Sequence, residues 1–487
     1  VGAIVLGNAR LVGGGAEPVD LVVESGRITA ISLVGRAGGD RVELDGRYVL
    51  AGLWDHHVHF TQYALARSRI DLSRVESAAE AARVVGREVS ERQPAAGTRV
   101  AGFGFRDGLG PDLPDKALLD AVVPGLPVAL ASGDLHCVWL NSAGLALVGA
   151  GDHPSGVLRE DAVFPVLQQF QALPGRELDA LVLAAAADLA ARGVVGIVEL
   201  ESQRNPEVWS RRAESGRLPL RVDCGVYAED LEWAIGQGLR TGDVLAASPL
   251  LRMGPLKVLT DGSLNTRTAY CDQAYPGIGD FMAERFGLLV VPPEELVRLM
   301  RPAHEHGIVP AIHAIGDHAN SLVLDAFAEV GCGGRIEHAQ LLRNEDFERF
   351  ALLGVEAGVQ PYHAVDDRDV AEVHWAGRTG RAYAYGDLWR AGARLRFGSD
   401  APVAPPDPWL TIQAAVARTV DEREPWHPEQ RLPVDVALDA STAAGGLPRV
   451  GEPADLVVLE RDPLSVPVDE LGTMPVHATM TAGQWTA

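Results

Sequence analysis

Val49-Leu50-Ala51-Gly52-Leu53-Trp54-Asp55-His56-His57-Val58-His59 runs from an apolar stretch straight into a group of histidines. Side chains on a strand alternate faces, so His57 and His59 point the same way and His56 points the other. Two imidazoles carried side by side on a stiff backbone aim at one point, which is the geometry of a metal site. A bare His-x-His also occurs among surface and core histidines. Here it closes a hydrophobic run that itself follows Asp45-Gly46, so it reads as the end of a buried strand over 49–54. In that setting Asp55 is expected to support a metal-bound histidine from behind, and His56 to pack on the far face.

Outward from this stretch, strands and helices alternate. Further strands are expected at 196–200, 220–225, 252–259, 308–313, 335–338, 355–360 and 395–399. Amphipathic stretches at 294–306, 321–330 and 344–353 lie between several of them. About eight strand–helix units imply an α/β fold, a TIM (β/α)8 barrel. Roughly 130 residues separate the first two strands, far more than a loop. The segment 61–180 has strands of its own at 99–105 and 127–132, and reads as an α/β insert over the barrel mouth. Short strands also occupy both chain ends, at 3–6, 20–23, 27–31 and 42–44, then at 454–459 and 476–480. Neither end buries a face alone, so the two are expected to form one small β-sandwich. The expected division is 1–50 with 450–487 for the sandwich, 51–60 with 181–449 for the barrel, and 61–180 for the insert.

Composition excludes some partners. Against 43 Lys+Arg stand 66 Asp+Glu, a net charge of -23 over 487 residues, which disfavours nucleic acid and anionic membrane. No apolar run is long enough to span a bilayer, and no basic leader with a cleavage pattern opens the chain. Cys137, Cys224, Cys271 and Cys332 are scattered without a Cys-x-x-Cys, as reduced thiols in a cytoplasm would be. Lys116 and Lys257 are the only lysines. Lys116 lies in a polar loop. Lys257 lies in an apolar strand, and a buried lysine, unlike arginine, can lose its proton.

Taken in order, the barrel strands end at or near His57 and His59, Lys257, His313, His338 and Asp400. Strand ends converge on the catalytic face of a TIM barrel. Imidazole and carboxylate suit zinc or a similar divalent ion. An amine is a poor bridge between cations, but Lys257 carboxylated by CO2 offers two oxygens and a negative charge. Such a bridge holds two metals about 3.5–4 Å apart. The plainer alternative is an unmodified lysine, paired with a carboxylate beside a single metal.

The chain resembles the amidohydrolase superfamily, and within it the YtcJ-like branch (amidohydrolase family 3). The resemblance rests on the residues 52–59, on Asp261-Gly262-Ser263-Leu264 and Arg267-Thr268-Ala269, and on His313 to Ala319. It extends to Arg335-Ile336-Glu337-His338, Val359-Gln360-Pro361 and Gly398-Ser399-Asp400. In the insert it includes Gly133-Asp134-Leu135-His136, Trp139-Leu140-Asn141-Ser142 and Ser155 to Glu160. Departures fall on the substrate side, at His56, Phe105-Arg106-Asp107, Asn265-Thr266 and His318. The resemblance implies a metal-activated hydroxide with Asp400 as general base and His136 on the developing oxyanion or the substrate. It implies substrate contacts for Arg267 and His363, for which a scaffolding role is the plainer account, as it is for His318. Glu199 and Glu201 end the second strand; a solvated loop is their plainer account and an approach to the metals the sharper one.

The expected activity is hydrolysis of a non-peptide, amide-type C–N bond in a small molecule, by a soluble enzyme with one or two divalent metals per chain. The fold suggests a homodimer. Deaminases of this fold commonly carry a Glu shortly after a barrel histidine; Ala314-Ile315-Gly316-Asp317 follows His313 instead. Ester or lactone hydrolysis uses the same attack on a carbonyl. A non-catalytic barrel scaffold would be marked by lost ligands, and none is lost.

Overall fold

The two amides that follow Ala51 bond to two different sheets. Gly52 N–H donates to the Asp455 carbonyl at 2.8 Å, and Leu53 N–H to the Gly193 carbonyl at 3.0 Å. The apolar run that opens the site is therefore not one strand. Tyr48–Ala51 belongs to a sheet built from the chain ends, and the first barrel strand is Leu53–Val58. Gly52 makes the crossing because a Cβ there would lie 2.4 Å from the Val195 side chain. In this computed structural model the described residues are 2–15, 17–105, 111–132, 137–159, 162–171, 175–277, 283–443 and 445–487.

The barrel strands are β1 (Leu53–Val58), β2 (Val194–Glu199), β3 (Arg221–Tyr227), β4 (Leu251–Leu259), β5 (Pro310–Ala314), β6 (Gly334–His338), β7 (Val355–Val359) and β8 (Leu395–Phe397). They lie in sequence order in one parallel sheet. Helices such as Asn205–Ser215, Pro293–Glu305, Asp317–Val330 and Pro408–Ala417 intervene or follow. Every residue of β1 and β2 is buried, as expected of parallel strands covered on both faces. The sheet closes where the segment after β8 meets β1. Asp400 N–H donates to the His57 carbonyl at 2.7 Å, and His59 N–H to the Ala401 carbonyl at 2.9 Å. Gly398 permits this approach, since a Cβ there would lie 2.5 Å from that of His57. The fold is a TIM barrel.

The terminal sheet runs Gln484–Trp485, Val476–Thr481, Leu456–Leu459, Tyr48–Ala51, Ile4–Leu11, Val19–Glu24, Arg27–Leu33, with Asp40–Glu43 pairing in parallel beside Ile4–Leu11. The edge strand Arg27–Leu33 and the turn before it reach back to the segment leading into Leu456–Leu459: Ile28 N–H donates to the Glu452 carbonyl and Ala454 N–H to the Gly26 carbonyl. The sheet thus curls over a core of Leu6, Leu21, Val49, Leu456 and Met480.

The chain divides into two compact units, Val1–Phe60 with Leu183–Ala487, and Thr61–Val182. The second carries a five-stranded sheet in the order Val157–Arg159, Cys137–Leu140, Val128–Ser132, Val100–Phe105, Ile70–Asp71. Its core gathers Leu72, Val85, Leu119, Leu130 and Trp139. The four cysteines are buried, and among the described residues none forms a disulfide. Among the described residues no helix is long and apolar enough to cross a membrane.

Candidate metal centre

The closure between β1 and β8 builds the centre. His57 Nε2 lies 3.3 Å from Asp400 Oδ1, and His59 Nε2 lies 3.4 Å from the same oxygen. Each of the three offers a ligand atom within 4.8 Å of the others. Asp400 reaches this point from a left-handed backbone, φ 58°, and His338 has φ 76°. Two non-glycine residues in that region at one locus mark strain held by the surrounding structure.

Carboxylate and amide oxygens fix the imidazoles from behind. His57 Nδ1 is 2.8 Å from Glu337 Oε2 and His338 Nδ1 is 3.0 Å from Gln360 Oε1. Both oxygens only accept, so each Nδ1 carries a proton and each Nε2 is the ring atom left to face the cluster. Burial alone would push the Glu337 carboxyl up, but His57, Arg335 and Lys257 outweigh it and bring it to about 2. Burial also opposes ionisation of Asp400, yet His57, His59 and His338 hold its carboxyl well below the usual range. The His338 imidazolium is disfavoured by burial and by His313, which keeps the ring neutral.

Lys257 lies within β4, paired with Tyr227 and Ala311, two residues before the strand ends. It is 2% exposed, and its Nζ has no hydrogen-bond partner among the described residues. Burial pushes its pKa down, against the pull of Glu337 and Asp400. A buried amine with no partner fits a site completed by something added, because an unpaired buried charge is costly. His57 Nε2 and His59 Nδ1 are likewise buried without a hydrogen-bond partner among the described residues. These imidazole and carboxylate donors fit a divalent cation.

The other expected residues are placed unequally. The His313 ring stands edge-on to His338, centroids 4.5 Å apart, but His313 belongs to neither ligand triad. Its Nε2 faces the Gly262 carbonyl at 3.2 Å and Asp261 Oδ1 at 3.3 Å. His363 falls with His338 and Asp400 in a second triad whose ligand atoms lie within 4.8 Å of one another. Arg267 is exposed on the loop after β4, with φ 58°. His318 sits against Tyr270 and Asp272. His136, Arg106 and Asp107 lie outside the described residues.

Asp55 meets His57 through the backbone: it accepts from His57 N–H at 3.1 Å, from Ser399 N–H at 2.9 Å and from Ser399 Oγ. It ties β1 to the segment after β8 through the backbone. Burial raises its carboxyl to about 6. Glu199 and Glu201 are not on a solvated loop; both are buried. Glu199 accepts from Phe60 N–H, Glu201 N–H and Trp209 Nε1, which supply the donors that let a carboxylate go inside. Burial, then Glu201, raises it to about 7. His56 does pack on the far face, stacked on Trp54 with Nε2 donating to the Thr442 carbonyl at 3.1 Å.

Glu337, Gln360 and Asp261 are functional residues that strand-end chemistry alone does not single out. Asp261 accepts from Tyr270, Ile315 and Gly316 N–H, binding the loops after β4 and β5 together. A carboxylate one residue before a strand-end histidine was the available signal for Glu337.

Comparison with known proteins agrees with this geometry. Residues 40–487 match the sequence pattern of the amidohydrolase family. The Bacillus subtilis protein YtcJ is 28% identical over 488 residues, covering 91% of this chain and 90% of that one. The N-substituted formamide deformylase of Arthrobacter pascens is 27% identical over 516 residues, covering 95% and 94%. A crystal structure of an uncharacterized metal-dependent hydrolase from Pyrococcus horikoshii superposes with a TM-score of 0.82 at 26% identity, covering 96% of this chain and 99% of that one. The chain belongs to the amidohydrolase family, enzymes that hydrolyse carbon–nitrogen bonds.

Proposed function

We propose that this amidohydrolase cleaves a non-peptide, amide-type C–N bond in a small molecule, with Asp400 as general base. The observation that carries this is the meeting of His57 Nε2 and His59 Nε2 on one oxygen of Asp400, beside a buried, unpartnered Lys257 amine. His57, His59, Lys257, His313, His338 and Asp400 would hold one or two divalent ions of zinc type, with Lys257 carboxylated. When bound, such ions acidify a water and polarise a carbonyl. Asp400, ionised at neutral pH, accepts the proton of the attacking water and returns it to the leaving nitrogen. Glu337 and Gln360 keep His57 and His338 in the tautomer that presents Nε2. The likeness to a formamide deformylase supports N-formyl, N-acyl or cyclic amide substrates, with Arg267 and His136 on the substrate side.

Elemental analysis of the purified chain, together with turnover of amides, imides, lactones and aminopurines, tests this. The expected result is bound zinc-type metal, amide turnover that stops on chelation, and a carbamate carbon signal at Lys257 after labelling with carbon-13 bicarbonate. A folded chain that holds no divalent ion under any loading condition refutes the reading.

A further inference from the structure

The histidine cluster occupies one end of the barrel, and a separate cavity opens at the other. It has a volume of about 590 Å³ and is lined where strands begin, by Pro310 of β5, Arg335 of β6 and Glu356 of β7, with Arg394 just before β8 and Asp223 on β3. That end of a TIM barrel ordinarily serves stability, so its polar groups should be paired. Glu356 meets that rule: it accepts from Arg335 Nη2 at 3.4 Å, Arg396 Nε at 3.1 Å and Arg394 Nη1 at 3.5 Å. Asp223 breaks it. Its Oδ1 is buried without a hydrogen-bond partner among the described residues, and so is Arg335 Nε. Burial raises the Asp223 carboxyl to about 6, against the pull of Arg252, Arg335 and Arg221. Arg335 is thus close enough to act on Asp223, yet neither orphaned atom bonds the other.

We propose that this cavity binds a small carboxylate carrying a hydroxyl or amino group on the adjacent carbon. Asp223 accepts from that O–H or N–H, and the guanidinium groups of Arg335 and Arg394 take the carboxylate. Both requirements follow from the two orphaned atoms: a carboxylate oxygen calls for a donor and a guanidinium N–H for an acceptor. A water satisfies both, but the cavity has room for far more than one. Charge favours an anion. Arg252, Arg335, Arg394 and Arg396 stand about Asp223 and Glu356, in a chain of net charge -23. None of the proposed metal ligands takes part, so the site stands or falls apart from the hydrolase reading.

The test compares propionate, lactate and alanine, which share a carboxylate on a three-carbon frame and differ at the adjacent carbon in hydrogen, hydroxyl and ammonium. Binding to the full chain is measured by saturation-transfer NMR titration. Lactate or alanine is expected to bind about 10-fold or more tightly than propionate, the effect of one hydrogen bond to a charged group. Whichever of the two binds more tightly identifies the donor as hydroxyl or amino. Asp223→Leu keeps the side-chain size and removes the acceptor, and is expected to bring the three ligands to one affinity. Ala351 is exposed on the cavity wall, and Ala351→Phe is expected to abolish binding by filling the space. Thermal unfolding confirms the fold of each variant, and Ala351→Phe decides the matter where Asp223→Leu does not fold. Equal affinity for all three ligands in wild type, or a preference that persists in Asp223→Leu, overturns the inference. So does a wild type that binds none of them, its cavity holding water only. Binding that survives Ala351→Phe belongs elsewhere, the metal centre included, and overturns it as well.

Discussion

Glu337 is the side chain on which the orientation of His57 turns. It is fully buried, with Oε2 2.8 Å from His57 Nδ1 and Oε1 3.6 Å from Arg335 Nη1. Glu337→Gln keeps an oxygen near His57 but removes the charge and turns an amide N–H2 toward the guanidinium. Losing such a supporting carboxylate costs about 10- to 100-fold in metal affinity, or about 1.4–2.7 kcal/mol. The same bond can be broken from the neighbouring strand. Glu337 on β6 pairs with Gly358 on β7, and a Cβ at Gly358 would lie 2.3 Å from Glu337 Oε2. Gly358→Ala must therefore displace that oxygen by about 1 Å to reach ordinary contact, enough to break a hydrogen bond of this length. Gly358 has an ordinary negative-φ strand backbone, absent from the positive-φ glycines, so alanine adds no strain of its own. Both variants are expected to weaken zinc at the His57–His59 site to a similar degree, measured by competition with a chelator, and to lower kcat/KM in parallel. Glu337→Gln that folds and binds zinc as tightly as wild type would refute the claim that this carboxylate sets the ligand.

Three further outcomes are expected. Asp400→Asn lowers turnover by about 100- to 10,000-fold while retaining part of the metal; steady-state kinetics beside metal analysis check it, and normal turnover removes Asp400 as the base. Lys257→Arg keeps a cation but cannot form a carbamate, so the labelled carbonyl signal and the bridged metal disappear together; full metal occupancy defeats the bridge. Glu199 has its carboxyl raised from 4.5 to about 7 by burial, so the folded chain holds a proton that the unfolded chain releases. The stability this gives is complete below the unfolded value and is lost as pH rises through 7, a loss of about 3 kcal/mol. Glu199→Gln should lack that loss, and urea unfolding of both proteins at pH about 5 and 8 with equal pH slopes would sink the assignment.

The β/α order and the strand-end residues His57, His59, His338 and Asp400 were legible in the chain itself. Parallel strands buried on both faces leave near-continuous apolar runs, and their carboxyl ends fall where those runs stop. Lys257 stood out because it is one of two lysines and lies in such a run. The junction at Gly52 was not legible, because Val49 through Trp54 is equally apolar on both sides of it. Only the presence of two separate partners, Asp455 and Gly193, splits the run between sheets.

The parts of the centre that support the ligands came from tertiary structure for a related reason. Alternation along β6 assigns Glu337 and His338 to opposite faces, and the left-handed backbone at His338 undoes that alternation so both reach the same cluster. His363 lies beyond β7, on a short helix whose direction no local pattern specifies, and the packing of that helix brings it to Asp400. Periodicity and strand-end chemistry, which act over a few residues, are written in the sequence. Which buried nitrogen faces which oxygen across the barrel is set by closure of the sheet, and no stretch of chain carries that alone.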